Sequence, residues 1–116
     1  MSLDKSVEVD WPEKSGYYKV VQLVLDDCLT VIFGPEILYH KDILASFLRQ
    51  KNIEFNTNKG LPEPKGDCYE AVGMGQAIIK KPKAGFFGDS TDYELGINHE
   101  HLDRVKESEI GWEIEY

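Results

Sequence analysis

The 116-residue chain has few cysteines and no long apolar run, and both shortages limit its class. Its two cysteines, Cys28 and Cys68, are too few for a disulfide framework, and no metal-binding spacing links them. We interpret both as reduced core residues, with a single disulfide as the alternative. No apolar run approaches the roughly 20 residues of a membrane-spanning helix, and the N-terminal stretch MSLDKSVEVDWPEK lacks the apolar core of a secretory signal. These features predict a cytoplasmic protein without a membrane partner.

Positive charge is also in short supply. Thirteen lysine and arginine side chains stand against 21 aspartate and glutamate side chains, giving a formal charge of -8. A surface this negative repels phosphate backbones and anionic lipid, which excludes nucleic acid and membranes as expected partners. The hydrophobic share of 41% and the charged share of 29% are those of an ordinary globular chain. We expect a monomer with one folded domain.

Runs of β-branched and aromatic residues predict strands early in the chain. Residues 17–25, YYKVVQLVL, and residues 28–33, CLTVIF, are both of this kind. Only Asp26 and Asp27 separate them, which favours a two-residue turn. The two segments are therefore predicted to pair as an antiparallel hairpin.

Helical spacing of apolar residues follows. It predicts one helix from about His40 to Asn52, and a second helix, HEHLDRVKES, capped by Asn98. The segment NKGLPEPKGD is predicted to be a loop because of its glycines and prolines. The segments IEFNT, CYEAV, QAIIKK, GFFGDS and GWEIEY are predicted strands, with a bulge or bend at Gly73-Met74-Gly75.

This order of elements predicts an α+β fold. Hairpins dominate and only two helices are expected, so we predict a largely antiparallel sheet with helices on one or both faces. Residues 1–15 are predicted to be a flexible acidic lead-in, and residues 16–116 to form the domain.

Two of the three histidines suggest a metal site that their spacing opposes. His99 and His101 are two residues apart in the second predicted helix, so their side chains point to nearly opposite faces. Neither cysteine belongs to a CxxC pair that could complete a zinc site. We interpret both histidines as solvated residues and predict no metal site.

The third histidine, His40, stands where a helix is predicted to begin. A helix N-terminus offers unpaired N–H groups and a positive dipole end, which attract an oxyanion. The same dipole favours neutral imidazole over imidazolium, so His40 there is suited to nucleophilic attack. A phosphoryl-transfer site and an ordinary partly exposed histidine are the two interpretations that the sequence leaves open.

Five short motifs occur in the order found in one known family. They are Gly16-Tyr17-Tyr18-Lys19, Tyr39-His40-Lys41-Asp42, Gly73-Met74-Gly75, Phe87-Gly88-Asp89-Ser90-Thr91-Asp92-Tyr93 and Trp112-Glu113-Ile114-Glu115-Tyr116. In this order they resemble the motifs of the Janus/Ocnus family, which includes phosphohistidine phosphatases. The similarity covers about residues 16–116.

The resemblance implies an α+β hydrolase that needs no metal or cofactor, with a phosphohistidine-bearing protein as its partner. It assigns catalysis to His40, phosphate binding to Lys19, and a substrate-binding position to Tyr39. It also implies that backbone N–H groups of one loop bind phosphate. The residues of that loop are Ser90, Thr91 and Asp92.

Departures from the family pattern support a second hypothesis. Gln76 stands where the family has an arginine, and a second family arginine falls near Ile32 or Phe33. Both changes remove a bidentate phosphate donor, and Asp92 adds a negative charge where the family has alanine. The alternative to a phosphatase is therefore an inactive member that serves as a binding or regulatory domain.

Overall fold

Ten strands and two helices follow one another along residues 6–66 and 69–116, which are the residues that the computed structural model describes. They are β1 (Ser6–Val9), β2 (Gly16–Leu25), β3 (Cys28–Pro35), α1 (His40–Gln50), β4 (Phe55–Asn58), β5 (Leu61–Pro64), β6 (Glu70–Lys80), β7 (Lys83–Phe87), β8 (Asp89–Ser90), β9 (Leu95–Gly96), α2 (His99–Ser108) and β10 (Glu113–Glu115).

Six of these strands form the main sheet, in the order β1-β3-β2-β6-β7-β10. The three central pairings are antiparallel, whereas β1 runs parallel to β3 and β10 parallel to β7 at the two edges. The predicted α+β class, with a largely antiparallel sheet and two helices, is confirmed.

The predicted hairpin is formed by β2 and β3. Asp26 and Asp27 make its two-residue turn, and their φ angles of 47° and 62° are both in the left-handed region. A type I′ turn requires positive φ at both central positions, and aspartate is one of the few residues besides glycine that tolerates it. The turn chemistry therefore fixes the register of the hairpin.

Both faces of the sheet are buried, because apolar side chains of β2 and β3 point to each face. Val20 and Val31 pack in one core with Leu102 and Val105 of α2, on what we name the α2-side face. The next residues along each strand point to the other side, which we name the α1-side face. Its core contains Val21, Leu23, Ile32, Ile43, Leu44, Leu48, Tyr69 and Met74.

One segment predicted to be a loop contains a strand, so that prediction is wrong. Within NKGLPEPKGD, strand β5 pairs with β4, and Lys59 and Gly60 form the turn with positive φ angles. Proline cannot donate to a strand ladder, but Pro62 and Pro64 are alternate residues of a two-stranded sheet. Their nitrogens therefore face its open edge, where no donor is needed.

Part of the predicted lead-in belongs to the main sheet. Residues 6–9 form edge strand β1, and Trp11 stacks on Trp112 with ring centroids 3.8 Å apart and an interplanar angle of 7°. A four-residue strand has too little pattern to be recognised in sequence, and its partners are more than twenty residues away. Residues 1–5 of the lead-in lie outside the described residues.

The remaining predictions for the strands hold with one change. The bulge or bend predicted at Gly73-Met74-Gly75 is found at its first residue, since the register of β2 against β6 shifts between Gln22, which pairs with Gly73, and Leu23, which pairs with Ala71. The predicted strand GFFGDS is instead divided into β7 and β8, because Gly88 has a φ of 81°. Cys28 is a free, half-buried thiol, while Cys68 lies outside the described residues. No helix within residues 6–66 and 69–116 has the length and apolar character to cross a membrane.

Candidate functional site

His40 is the first residue of α1, and its side chain is buried, with 7% of its surface exposed. Its Nε2 atom lies 2.8 Å from the carbonyl oxygen of Gly75. Because a carbonyl only accepts hydrogen bonds, Nε2 carries the proton, and the lone pair of the neutral ring is on Nδ1. Nδ1 has no hydrogen-bond partner among residues 6–66 and 69–116. The imidazole is thus held by Nε2, while Nδ1 keeps its lone pair.

The carbonyl that holds His40 lies where the chain packs too closely for a side chain. Strand β7 ends at Phe87, opposite Gln76, one residue beyond Gly75 along β6. A Cβ at Gly75 would lie 2.5 Å from the Phe87 carbonyl oxygen and 2.7 Å from Ile97. Glycine at position 75 is therefore needed for this close approach, which the sequence pattern indicated only as a bend.

Lys19 contacts the two residues that precede His40. It is on β2, paired with Gln76 of β6, and its Nζ donates to the Leu38 carbonyl oxygen at 2.6 Å. The ammonium also lies 5.4 Å from the centre of the Tyr39 ring. These contacts fix the charge of Lys19 at the N-terminal end of α1.

The environment of His40 favours the neutral ring. Burial is the main cause that lowers the pKa of His40 below 6.5, and the charge of Lys19 acts in the same direction. The hydrogen bond to Gly75 and the carboxylates of Asp92 and Asp89 raise the pKa, but the net shift is downward. At neutral pH the ring is uncharged, as a nucleophile requires.

The N-terminus of α1 is not capped by a side chain of the described residues. Tyr39 occupies the N-cap position with extended backbone angles, and its side chain accepts no hydrogen bond there. The Tyr39 carbonyl accepts from the N–H groups of Asp42 and Ile43 at 3.0 and 3.1 Å. The preceding helical N–H groups have no intrahelical acceptor, so this end can bind an oxyanion.

The predicted phosphate-binding loop is a neighbour of His40. Asp89 and Asp92 lie on either side of Ser90 and Thr91 in the chain, and both carboxylates act on the pKa of His40. Ser90 is buried, whereas Thr91 and Asp92 are exposed. The structure therefore brings Lys19, His40 and this loop into one region, although the loop also introduces negative charge.

The loop is anchored on both faces of the sheet. Tyr93 and Leu95 pack against the α1-side core, and Ile97 packs against the α2-side core. Burial is the main cause that raises the pKa of Tyr93, so its hydroxyl stays protonated. The loop is thus held by apolar contacts on both sides of β6.

Gln76 occupies a central position in this region. Its Nε2 donates to the Asp89 carbonyl oxygen at 3.3 Å, and its side-chain oxygen fills the space that a Cβ at Gly88 would need. Sequence reasoning identified Gln76 only as a departure and missed Asp89 together with the carbonyl groups of Gly75 and Leu38. No sequence signal marks a backbone carbonyl as a partner for a side chain far away in the chain.

His99 and His101 differ from each other, and the prediction that both are solvated is wrong for His101. His99 is exposed, whereas His101 is 5% exposed and lies 3.0 Å through Nε2 from the Leu23 carbonyl oxygen. Asn98 caps α2 as predicted, since its side chain accepts from the His101 N–H at 3.0 Å. His101 is buried because it lies on the side of α2 that packs against the sheet, although its side chain is polar.

A scan against protein-family models finds no match for the chain, and a search of curated proteins finds none either.

Proposed function

We propose that the domain is a metal-independent phosphoamide hydrolase whose substrate is phosphohistidine in another protein. The observation that carries this proposal is the hydrogen bond from His40 Nε2 to Gly75, which leaves the lone pair on Nδ1. The charge of Lys19 acts on this ring, and the ring belongs to the first residue of a helix whose N-terminus no described side chain caps. This combination of a neutral nucleophile and donors for an anion suits phosphoryl transfer.

In the first step, Nδ1 of His40 attacks the phosphorus atom of the substrate. A new N–P bond forms while the N–P bond to the substrate breaks, and the leaving nitrogen takes a proton from water. The charge spread over the phosphoryl oxygens is stabilised by Lys19 and by the N–H groups at the start of α1. Throughout this step the proton stays on Nε2, and Nε2 continues to donate it in the hydrogen bond to the Gly75 carbonyl oxygen.

In the second step, water attacks the phosphorus atom of phosphorylated His40. The N–P bond to His40 breaks, inorganic phosphate leaves, and the proton released from the attacking water neutralises the hydroxide formed in the first step, so His40 returns to its neutral form. The sum of both steps is the hydrolysis of one N–P bond by one water molecule. Tyr39 and the loop of Ser90, Thr91 and Asp92 are proposed to bind the substrate around this centre.

A binding or regulatory domain is the second candidate function, and the carboxylates near His40 favour it. Asp89 and Asp92 both lie close enough to affect the pKa of His40, and the chain has a formal charge of -8. These charges oppose an incoming phosphoryl group. In this alternative the domain binds a histidine-containing partner and does not hydrolyse it.

The test is hydrolysis of phosphoramidate and of a phosphohistidine peptide by wild type and by His40→Ala. Phosphate release by wild type alone, with an acid-labile phosphoenzyme trapped during turnover, is the expected result. A chelator such as EDTA is expected to leave the rate unchanged. Loss of activity in EDTA with recovery in zinc would contradict metal independence, and an inactive wild type that still binds the peptide would support the second candidate.

A further inference from the structure

An apolar part of the α1-side face lies beyond the N-terminal end of α1, and the helix does not cover it. Tyr17 of β2, Ile78 of β6 and Phe87 of β7 retain 44%, 41% and 40% of their exposed surface. Tyr17 and Ile78 are cross-strand partners, and the rings of Tyr17 and Phe87 meet edge to face with centroids 5.7 Å apart. Three large apolar side chains on neighbouring positions of a sheet are a contiguous patch rather than scattered exposed residues.

The patch has open space over Gly85, and we name this space the depression. Gly85 is the cross-strand partner of Ile78 on one side and of Glu115 on the other. A Cβ at Gly85 would meet no atom within 4 Å. An apolar side chain from another molecule could therefore rest on the backbone of Gly85, with Ile78 and Phe87 as its walls.

The charge nearest to the depression is negative, since Glu115 is the direct cross-strand partner of Gly85, whereas Lys80 lies farther away, two residues from Ile78 on the same face. Glu113, two residues before Glu115, forms an ion pair with Lys83 at 3.7 Å. The carboxylate of Glu115 has no ion pair within the part of the chain that the structure describes. A cationic side chain next to the apolar one would complement this carboxylate.

The depression lies on the same face as the candidate site. Lys19, Gln76 and Phe87 are in register across β2, β6 and β7, and all three point to the α1-side face. Gly85 is two residues from Phe87, so about two strand spacings and two residues separate it from Lys19, or about 12 Å. About four residues of extended polypeptide span that distance, and the side chains of the first and fifth residues point the same way.

We infer that the patch of Tyr17, Ile78, Gly85, Phe87 and Glu115 is a docking surface for an extended polypeptide segment. The segment carries an apolar side chain about four residues from the histidine that reaches His40, with a basic residue next to it. The inference rests on the proposed function, since it names the substrate segment that the same site would select. The patch would then determine which substrate sequences are preferred, although its residues take no part in the chemical steps.

The probe is the peptide RLSGSHSGSLR, which presents the apolar and basic residues on both sides of the histidine and so covers both chain directions. Binding is measured by NMR titration with the His40→Ala protein, so that no turnover is needed. Replacing both peptide leucines by alanine is expected to weaken binding by about tenfold, from the apolar surface lost. Replacing both arginines by glutamate is expected to weaken it further.

The decisive variant is Gly85→Leu, because a Cβ at position 85 has open space around it and the backbone angle is one that any residue adopts. Gly111→Leu is the matched control, because position 111 also has open space around a Cβ. Gly85→Leu in the His40→Ala protein is expected to weaken peptide binding about tenfold, while Gly111→Leu does not. The alanine peptide is expected to bind the protein with both His40→Ala and Gly85→Leu as tightly as it binds the His40→Ala protein. The reason is that the peptide change and the Gly85→Leu change remove the same contact.

Thermal unfolding of both variants shows whether the fold is intact, and Gly85→Ala gives a smaller change if leucine is not accommodated. Equal binding of the leucine and alanine peptides, or equal effects of the two glycine variants, would overturn the inference. So would a wild-type dimer that Gly85→Leu dissociates in sedimentation, since the patch would then be an interface between copies. Peptide binding without any phosphoramidate hydrolysis by wild type would reject the proposed function and keep the docking surface; hydrolysis without peptide selectivity would do the reverse.

Discussion

Two buried histidines lie on opposite sides of the sheet, and only one of them has a nitrogen to spare. His40 and His101 are 7% and 5% exposed, so burial does not distinguish them. His101 uses both nitrogens: Nε2 donates to the Leu23 carbonyl, and Nδ1 lies 3.2 Å from Nε2 of Gln22. Within residues 6–66 and 69–116, His40 has a hydrogen-bond partner for Nε2 alone.

The surroundings of His101 show why it is structural. Gln22 Nε2 also donates to the Asn98 carbonyl at 3.0 Å, and its Oε1 accepts from the Asn98 N–H at 2.8 Å. The amide is fixed by these bonds, so it donates to His101 and the ring is a satisfied acceptor and donor. A buried histidine becomes a candidate nucleophile when one nitrogen is held and the other is not.

The largest expected effect separates the two histidines by activity. His40→Ala is expected to lower kcat/KM on phosphoramidate by roughly a thousandfold or more, because it removes the attacking atom. His101→Ala has no such role, and its rate per folded molecule is expected to stay close to that of wild type. Steady-state kinetics corrected for the folded fraction measures both. Equal losses in the two variants would remove the distinction.

Stability is expected to separate them in the opposite direction. His101→Ala leaves a cavity and deprives the Leu23 carbonyl and the Gln22 amide of a partner, which should cost about 2–5 kcal/mol of the free energy of unfolding. The exposed neighbour His99→Ala is the control and is expected to change it by about 0.5 kcal/mol or less. Urea denaturation measures all three proteins. A His101→Ala variant as stable as the His99→Ala variant would show that the network around Gln22 contributes little.

The missing arginine gives a prediction of intermediate size. Gln76→Arg places a guanidinium in register with Lys19, where it can still donate to the Asp89 carbonyl and engage phosphate oxygens in pairs. A charge-assisted hydrogen bond contributes roughly 1.5–3 kcal/mol, so kcat/KM on phosphoramidate is expected to rise by about tenfold or more.

Gln76→Lys is the matched control for that gain, since it adds the charge without the planar pair of donors. Asp92→Ala should act in the same direction as Gln76→Arg by removing a negative charge near the anion. If wild type is inactive and the combined Gln76→Arg and Asp92→Ala variant is inactive too, the binding function replaces the hydrolase.

The local parts of the fold were predictable from sequence, and the contacts between distant segments were not. The β2–β3 hairpin, both helices and the bulge at Gly73 follow from turn residues, periodicity and glycine spacing within short windows. Strand β1 and the parallel pairing of β10 with β7 depend on partners far away in the chain. Strand β5 was missed because its two prolines are typical of loops unless they lie on an open edge.

The site shows the same division. The position of His40 at a helix start was predicted from the residues, whereas the role of Lys19 in phosphate binding stays a prediction from the resemblance. Burial of the ring, its bond to Gly75 and the approach of Asp89 could not be predicted, because they depend on how β6 and the loop after β7 pack. A buried histidine such as His101 also has no sequence feature that distinguishes it from its exposed neighbour His99.

The smallest expected effect is a shift in the titration of the His40 ring. Its pKa is lowered in the folded protein, so the neutral form fits the site, and protonation favours the unfolded chain. Activity and this part of the stability should be complete above the unfolded value of about 6.5 and decline as the pH falls through the lower folded value. NMR titration of the ring, with the acid limb of kcat/KM beside it, measures the shift.

Lys19→Met should raise the pKa of His40 and Asp92→Asn should lower it, because each removes one of the charges that act on the ring. A ring that titrates above 6.5 in wild type, or that shifts the same way in both variants, would show that burial and Lys19 do not determine its charge state, and His40 would lose the feature that separates it from an ordinary histidine.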